Sequence, residues 1–213
     1  MTPHDLLANF EVLAEAPNGI QRLRELVLEL AVRGKLVEQD AKDELADSLL
    51  ARLKNHKTHG NGRQSKTDPP QAYRPDEIPF DVPNGWVWER LGNIGETNIG
   101  LTYSPKDVSN VGIPVLRSGN IQNSKLDFKD LLRVGIKPKQ STMVQEGDLL
   151  ICARNGSRAL VGKVAVVEGI EEPASFGAFM TIFRSEVNRY LFYFFRSPLF
   201  RQMIAEVNTT TIN

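Results

Sequence analysis

Two short polar segments combine arginine, asparagine, serine and glycine directly after apolar, strand-like runs. These residue types can read the edges of nucleic-acid bases. Arginine donates two hydrogen bonds to guanine, and asparagine pairs in a similar bidentate way with adenine. Glycine allows the backbone to approach a ligand closely. The first segment contains Arg117, Ser118 and Asn120, and the second contains Arg154, Asn155, Ser157 and Arg158.

The same composition also suits an ordinary surface turn, because asparagine, serine and glycine are common in turns. Both interpretations therefore stay open at this point. In the nucleic-acid interpretation, Arg154 and Arg158 would read guanine, while Asn155 and Asn120 would read adenine. The phosphate groups would be held by lysines. The lysines that we expect in this role are Lys106, Lys125, Lys137 and Lys163.

The distribution of charge agrees with a basic surface in the second half of the chain. The formal net charge is zero, but residues 1–85 hold 11 basic and 14 acidic side chains, and residues 86–213 hold 15 and 12. Residues 101–163 hold ten basic side chains against five acidic ones. A local basic excess, rather than the total charge, is what a nucleic-acid surface needs.

The first part of the chain has the apolar spacing of helices. Apolar residues recur every three or four positions in segments 5–16, 20–31 and 43–57, which predicts three helices. The second helix should end at Gly34, a residue type that favours helix C-termini. Its apolar stripe consists of Ile20, Leu23, Val27, Leu30 and Ala31.

A polar stretch with almost no apolar residues follows these helices, and the pattern of apolar residues changes after it. We therefore predict a helical segment over 1–57, a linker over 58–77 and a second domain over 78–213. In the second domain, short β-type runs alternate with turn residues. They cover residues 86–91, 114–116, 148–153, 163–167 and 180–183. Ser197 and Pro198 predict the start of a final helix over 199–207.

Three segments come close to catalytic motifs, but each lacks a residue that the chemistry requires. Residues 95–102 approach a phosphate-binding loop, yet Leu101 stands where the lysine would reach the phosphates. Asp68-Pro69-Pro70 resembles the base-holding motif of amino-methyltransferases, yet Gln71 replaces its aromatic residue. Asp127-Phe128-Lys129 lacks the nearby Pro-Asp partner of a nuclease metal site.

Histidine and cysteine chemistry is not expected in the second domain. His4, His56 and His59 all precede it, and the single cysteine, Cys152, lies in an apolar run typical of a buried strand. We therefore expect no catalytic residue, metal ion or cofactor. The apolar runs are too short to cross a bilayer, and no secretory pattern opens the chain, so we expect a cytoplasmic protein without a membrane partner.

Several motifs, in order along the chain, resemble those of the specificity subunits of Type I restriction-modification systems. The resemblance extends over roughly residues 20–213. In the helical segment the motifs are Leu23-Arg24, Ala31-Val32, Gly34-Lys35-Leu36-Val37, Gln39-Asp40 and Asp43-Glu44-Leu45-Ala46. In the second domain they are Pro83-Asn84-Gly85-Trp86, Leu91-Gly92, Gly147-Asp148-Leu149-Leu150-Ile151 and Gly162-Lys163.

The resemblance implies an α+β fold, in which a helical segment precedes a mixed target-recognition domain with a curved, mainly antiparallel β-sheet. It also implies a non-catalytic role. Such a subunit reads double-stranded DNA, each recognition domain reading half of a bipartite site, while separate methyltransferase subunits and a translocating restriction subunit perform the chemistry. The apolar stripe of the second helix would then dock the methyltransferase subunits.

The chain departs from the family pattern because it contains one recognition domain where the family has two. We expect either a fragment or a half-subunit that pairs with a second copy, and the ending over 209–213 favours a fragment. Two other functions stay open. The chain could be a small nucleic-acid methyltransferase or nuclease, although a cofactor loop is missing, or an interaction scaffold that binds no DNA.

Overall fold

The computed structural model describes residues 3–59 and 73–210. Their contacts divide them into two compact units. The first unit consists of Gly95 and the described residues before it, together with Ser197–Phe200. The second unit consists of residues 96–196 and the described residues from Arg201 onward. The predicted linker lies largely outside the described residues, and the predicted domain boundaries stay a prediction.

The first unit is helical, as its apolar spacing predicted. Its helices are α1 (Pro3–Ala8), α2 (Phe10–Glu15), α3 (Gly19–Val32), α4 (Ala46–His59) and α5 (Leu91–Ile94). The prediction of one continuous helix over 5–16 was wrong, because the helix is interrupted at Asn9. The Asn9 side chain donates a hydrogen bond to the backbone oxygen of Asp5 at 2.8 Å, and such local bonds compete with regular helix.

Helix α3 ends two residues before Gly34, which has a positive φ of 64°. This left-handed conformation is common just after a helix and fits the predicted helix end. A Cβ at this position would lie 2.8 Å from the Pro83 ring. The same Cβ would lie 3.2 Å from the Trp86 ring. Trp86 also donates a hydrogen bond from Nε1 to Gln39 Oε1 at 2.7 Å. The prediction of a strand over 86–91 was wrong, because residues 86–90 have no regular secondary structure and helix α5 begins at Leu91. This segment is irregular and packs against the end of the helix through side chains.

The second unit contains short strands and one complete helix. Its strands are β1 (Glu96–Ile99), β2 (Val108–Ser109), β3 (Ile113–Leu116), β4 (Ile121–Gln122), β5 (Lys125–Leu126), β6 (Leu132–Val134), β7 (Leu149–Cys152), β8 (Val164–Val166), β9 (Ser175–Phe176) and β10 (Met180–Arg184). Helix α6 (Asn188–Arg196) follows, and then α7 (Pro198–Thr210). The hydroxyl of Ser197 accepts a hydrogen bond from the Phe200 N–H, which confirms the predicted start of the last helix.

The strands form two four-stranded sheets and a hairpin. The first sheet has the order β1-β10-β7-β8 and is antiparallel throughout. The second has the order β2-β6-β3-β9, in which only the β3–β9 pair is parallel. Strands β4 and β5 pair with each other. The predicted α+β class and mainly antiparallel pairing are confirmed, with the strands divided among these sheets rather than joined in one.

The two larger sheets contribute to one apolar core. In the first sheet Ile182 lies opposite Leu150, which lies opposite Ala165, and all three are fully buried. The alternate residue Phe183 faces the other way and meets Phe195 of α6 in an edge-to-face contact. Both faces of this sheet are therefore apolar, as expected for strands covered on both sides.

A buried ion pair ties the start of β7 to the end of β10. The Asp148 side chain is only 1% exposed, and its two oxygens accept hydrogen bonds from Nε and Nη2 of Arg184, both at 2.7 Å. The Gln145 N–H donates a further bond at 2.8 Å. The hydrogen bond to Asp148 raises the pKa of Arg184. A carboxylate can be buried here because its oxygens are satisfied.

Replacing Asp148→Asn should lower the free energy of unfolding by about 3 kcal/mol. The Arg184 guanidinium would lose its carboxylate partner and would face an uncharged, buried amide in its place. We place the loss at the low end of the usual range, since the Arg184 side chain is one-third exposed. Urea unfolding measures it. The control is Glu172→Gln, which breaks the ion pair with Arg133; the Glu172 side chain is 47% exposed, so the loss should be far smaller. Equal losses in the two variants would contradict this account of the Asp148 pair.

Candidate nucleic-acid interface

The second unit brings the two predicted loops into contact. The Asn155 side chain donates a hydrogen bond from Nδ2 to the Ser118 hydroxyl at 3.1 Å. These residues are 37 positions apart in the sequence, and each belongs to a different predicted loop. A hydrogen bond of this kind shows that the two loops lie side by side in the folded unit.

A third segment, the turn Gly177–Met180, lies between these loops. The Gly177 N–H donates to the Leu116 oxygen at 2.9 Å, directly before the first loop. On the other side, the Phe179 oxygen accepts hydrogen bonds from the N–H groups of Ala153 and Arg154, both at 3.0 Å. We call residues 117–120, 153–158 and 177–180 the loop cluster.

Buried strand residues fix the three segments of the loop cluster in place. Leu116 precedes the first segment, Cys152 precedes the second, Phe176 precedes the turn and Met180 is its last residue. All four residues are at most 1% exposed and belong to the same apolar core. The loops therefore leave a rigid support at defined points, the arrangement that places binding residues accurately.

The arginines of the loop cluster are available to an external ligand. Arg117, Arg154 and Arg158 are exposed, and none of them forms an ion pair with another residue in the described part of the chain. Arg184 and Arg133, in contrast, bind carboxylates of the chain itself. The loop arginines thus keep all their side-chain donors for planar acceptors such as phosphate or guanine.

Asn120 does not have the role that the sequence suggested. The residue is only 3% exposed. Its Oδ1 accepts a hydrogen bond from the Arg117 N–H at 2.9 Å, and its Nδ2 donates to the Asp127 oxygen at 3.0 Å. The prediction that Asn120 reads adenine is therefore corrected: its amide is buried and used to close the first loop.

Asn155 and Lys163 also have partners within the chain. Besides its bond to Ser118, Asn155 accepts a hydrogen bond from the Ser157 N–H at 2.9 Å, which closes the second loop. Lys163 is half-buried and donates from Nζ to the Ile121 oxygen at 3.1 Å. Asn155 and Lys163 therefore stabilise the conformation of the loops. That either of them contacts DNA directly stays a prediction.

The three other predicted lysines, Lys106, Lys125 and Lys137, are exposed. Lys106 lies in a short 3-10 helix and Lys125 in strand β5. Within the described ranges none of the three forms a hydrogen bond to the loop cluster. Their predicted role, a sequence-independent grip on phosphate, does not require such a bond and stays a prediction.

The apolar stripe of helix α3 is mostly a core rather than a surface. Leu23 and Leu30 are each 7% exposed and pack with Leu6, while Val27 and Ala31 are half-buried. The prediction that the whole stripe docks a partner is corrected for this reason. Ile20 is the exposed member of the stripe. Further apolar residues of this unit are highly exposed, namely Leu7, Val12 and Val37.

Two of the three segments that resembled catalytic motifs lie within the described residues, and both have ordinary structural roles. Strand β1 occupies the segment that resembled a phosphate-binding loop. The Asp127 carboxylate accepts the Lys129 N–H in a local turn. Asp68-Pro69-Pro70 lies outside the described residues. Across residues 3–59 and 73–210, no group of three or more His, Cys, Asp or Glu could hold a metal ion, and no helix is long and apolar enough to cross a membrane.

The chain is related in sequence to the specificity subunits of Type I restriction enzymes. The EcoAI specificity subunit of Escherichia coli is 32% identical over 148 residues, which cover 67% of this chain and 25% of that subunit. The EcoEI specificity subunit of Escherichia coli is 44% identical over 102 residues, or 46% of this chain and 17% of that subunit. No protein-family model matches. The resemblance seen in the motifs is confirmed, and the chain spans about a quarter of the length of the EcoAI relative.

Two solved structures show a weaker likeness. A chain from a structure of a Type I restriction-modification system has a TM-score of 0.46 at 18% identity, covering 94% of this chain and 42% of that one. The HsdS subunit from Thermoanaerobacter tengcongensis has a TM-score of 0.44 at 18% identity, covering 90% and 39%. At these scores the two structures add nothing to the sequence relationship.

Replacing Asn120→Ala should lower the free energy of unfolding by about 1–3 kcal/mol, because the Arg117 N–H and the Asp127 oxygen would lose a buried partner. Urea unfolding measures the loss. The matched control is Asn110→Ala, since Asn110 is exposed and its loss should have little effect. An Asn120→Ala variant that kept full stability would show that the buried amide is not needed to close the loop.

Proposed function

We propose that this chain is a sequence-reading part of a Type I restriction-modification specificity subunit, and that the loop cluster contacts one half of a bipartite DNA site. The observation that carries the proposal is the hydrogen bond between Asn155 and Ser118. It joins two arginine-bearing loops, distant in sequence, into one exposed surface. The relationship to specificity subunits supports the same function.

The chemistry of the loop cluster fits a reader of the major groove. Each base pair presents a distinct pattern of donors and acceptors there, and arginine recognises the O6 and N7 atoms of guanine with two parallel hydrogen bonds. Arg154 and Arg158 would make such contacts, and Arg117 lies in the adjoining loop. Because the loops are fixed by core residues, the backbone that carries the arginines is ordered before DNA arrives, and binding has to order only their side chains.

The division of labour in this proposal leaves the chain without catalysis or cofactor. Separate methyltransferase subunits and a translocating restriction subunit would act on DNA in the cytoplasm, and this chain would direct them to their site. Ile20 and the exposed apolar residues of the first unit are the surfaces on which a methyltransferase subunit, or a second copy of this chain, would dock. An exposed apolar patch is suited to such an interface.

The direct test is selection from a randomised duplex library with the purified chain, at low and at moderate salt, followed by sequencing of the retained DNA. Enrichment of a short motif is the expected result. Retention that depends on salt without any enrichment would limit the chain to a phosphate grip. No retention at either salt concentration would overturn the proposal and favour a protein-interaction scaffold.

Replacing Arg154→Ala should weaken binding to the selected motif by about 1–3 kcal/mol and relax the preference at one base pair, because a bidentate contact is lost. Fluorescence anisotropy with duplexes changed at single positions measures both effects. Arg189→Ala is the matched control, since it removes an exposed positive charge from helix α6, outside the loop cluster. Unchanged affinity and selectivity in Arg154→Ala would rule out its assigned contact.

Replacing Lys137→Ala should weaken binding to all duplexes alike, because a phosphate contact carries no sequence information. The slope of the logarithm of the binding constant against that of salt concentration should become shallower by about one. Titrations over a range of salt concentrations provide the measurement. A loss confined to the selected motif would contradict the assignment of Lys137 to phosphate.

A further inference from the structure

Phe179 is an exposed aromatic residue at the centre of the loop cluster. The Met180 N–H donates to the Gly177 oxygen at 2.8 Å and closes a four-residue turn, with Ala178 and Phe179 in its middle. Phe179 is 65% exposed. Glycine, asparagine, aspartate, serine and proline dominate such turns, so a phenylalanine here is not explained by the needs of the turn.

The backbone of Phe179 is held on several sides. Its oxygen accepts the two N–H bonds from Ala153 and Arg154, and the next residue, Met180, is buried. Behind the turn, the backbone at Gly100 passes so close that a Cβ there would lie 2.2 Å from the Gly177 oxygen. The side chain thus starts from a fixed backbone, so that binding has to order only the side-chain torsions of Phe179.

The neighbours of Phe179 identify the ligand chemistry. A Cβ on Gly177 would lie 3.8 Å from Cγ of Arg117, and Arg154 bonds directly to the Phe179 oxygen. The turn that carries Phe179 therefore adjoins both of the loops that carry exposed arginines. In the major groove the one apolar group on a base edge is the C5 methyl of thymine, which phenylalanine side chains contact.

We propose that Phe179 is a specificity-determining residue that contacts the C5 methyl group of a thymine in the recognised half-site. The inference rests on the proposed function. A backbone hydrogen bond of 3.0 Å joins Arg154 to Phe179, so the two residues are direct neighbours. We therefore assign their side chains to the same base pair or to adjacent ones.

The test uses the full chain and the motif selected from random duplexes, with each thymine replaced in turn by uracil, which lacks only the C5 methyl. The wild-type chain should bind about threefold to tenfold more weakly when one particular thymine is replaced, the effect of losing one buried methyl group. Phe179→Ala should bind the thymine duplex more weakly and be indifferent to that replacement, while Phe179→Leu should keep part of the discrimination.

The control variant is Val111→Ala, because Val111 is equally exposed but lies outside the loop cluster; it should keep the full discrimination between thymine and uracil. Urea midpoints equal to that of the wild type show that each variant folds. Three results would overturn the inference: a motif without thymine, a wild-type chain indifferent to uracil at every position, or a Phe179→Ala variant that still discriminates. Failure of the proposed function is distinct, since no motif would then be enriched.

Discussion

Burial of the core of the second unit determines where the loops begin and end. Leu116, Cys152, Phe176 and Met180 are almost completely buried in one apolar cluster. The first three directly precede segments of the loop cluster, and Met180 ends the third segment. A close-packed interior resists displacement of its residues. The positions of the loops that follow these residues therefore depend on the packing of buried apolar side chains.

Polar residues of the second unit divide into those that shape the loops and those that are left for a ligand. Asn120, Asn155 and Ser118 bond to one another's loops or to nearby backbone, and Asp148 is neutralised by Arg184. Buried polar groups must be satisfied in this way to avoid a large desolvation cost. The exposed arginines of the loop cluster are solvated and need no partner within the chain. For this reason we assign contact with DNA to them.

Local patterns in the sequence were sufficient for several elements. The apolar stripe predicted helix α3 and its end before Gly34, and apolar runs predicted β3, β7, β8 and β10 to within about two residues. These elements depend on spacing within one short segment, which sequence displays directly. The partition into separate sheets depends on pairing between distant strands, such as β3 with β9, and the sequence carries no local sign of it.

Candidate site residues were harder to predict, because residue type does not reveal exposure. Asn120 and Asn155 looked equivalent in the sequence, yet one is buried and the other links two loops. Phe179 was missed for the opposite reason. It lies within the largely apolar run from Ala174 to Phe183, where a phenylalanine is expected in the core, and the preceding Gly-Ala pair was the only local indication of a turn.

The most direct test of the central claim, that the three segments of the loop cluster form one DNA-contacting surface, is amide hydrogen exchange of the full chain. Exchange would be compared with the selected duplex, with a scrambled duplex and without DNA. The selected duplex should slow exchange together in peptides covering residues 117–120, 153–158 and 177–180, with weaker protection from the scrambled one. Protection of only one of the three segments, or protection confined to residues outside them, would contradict the account.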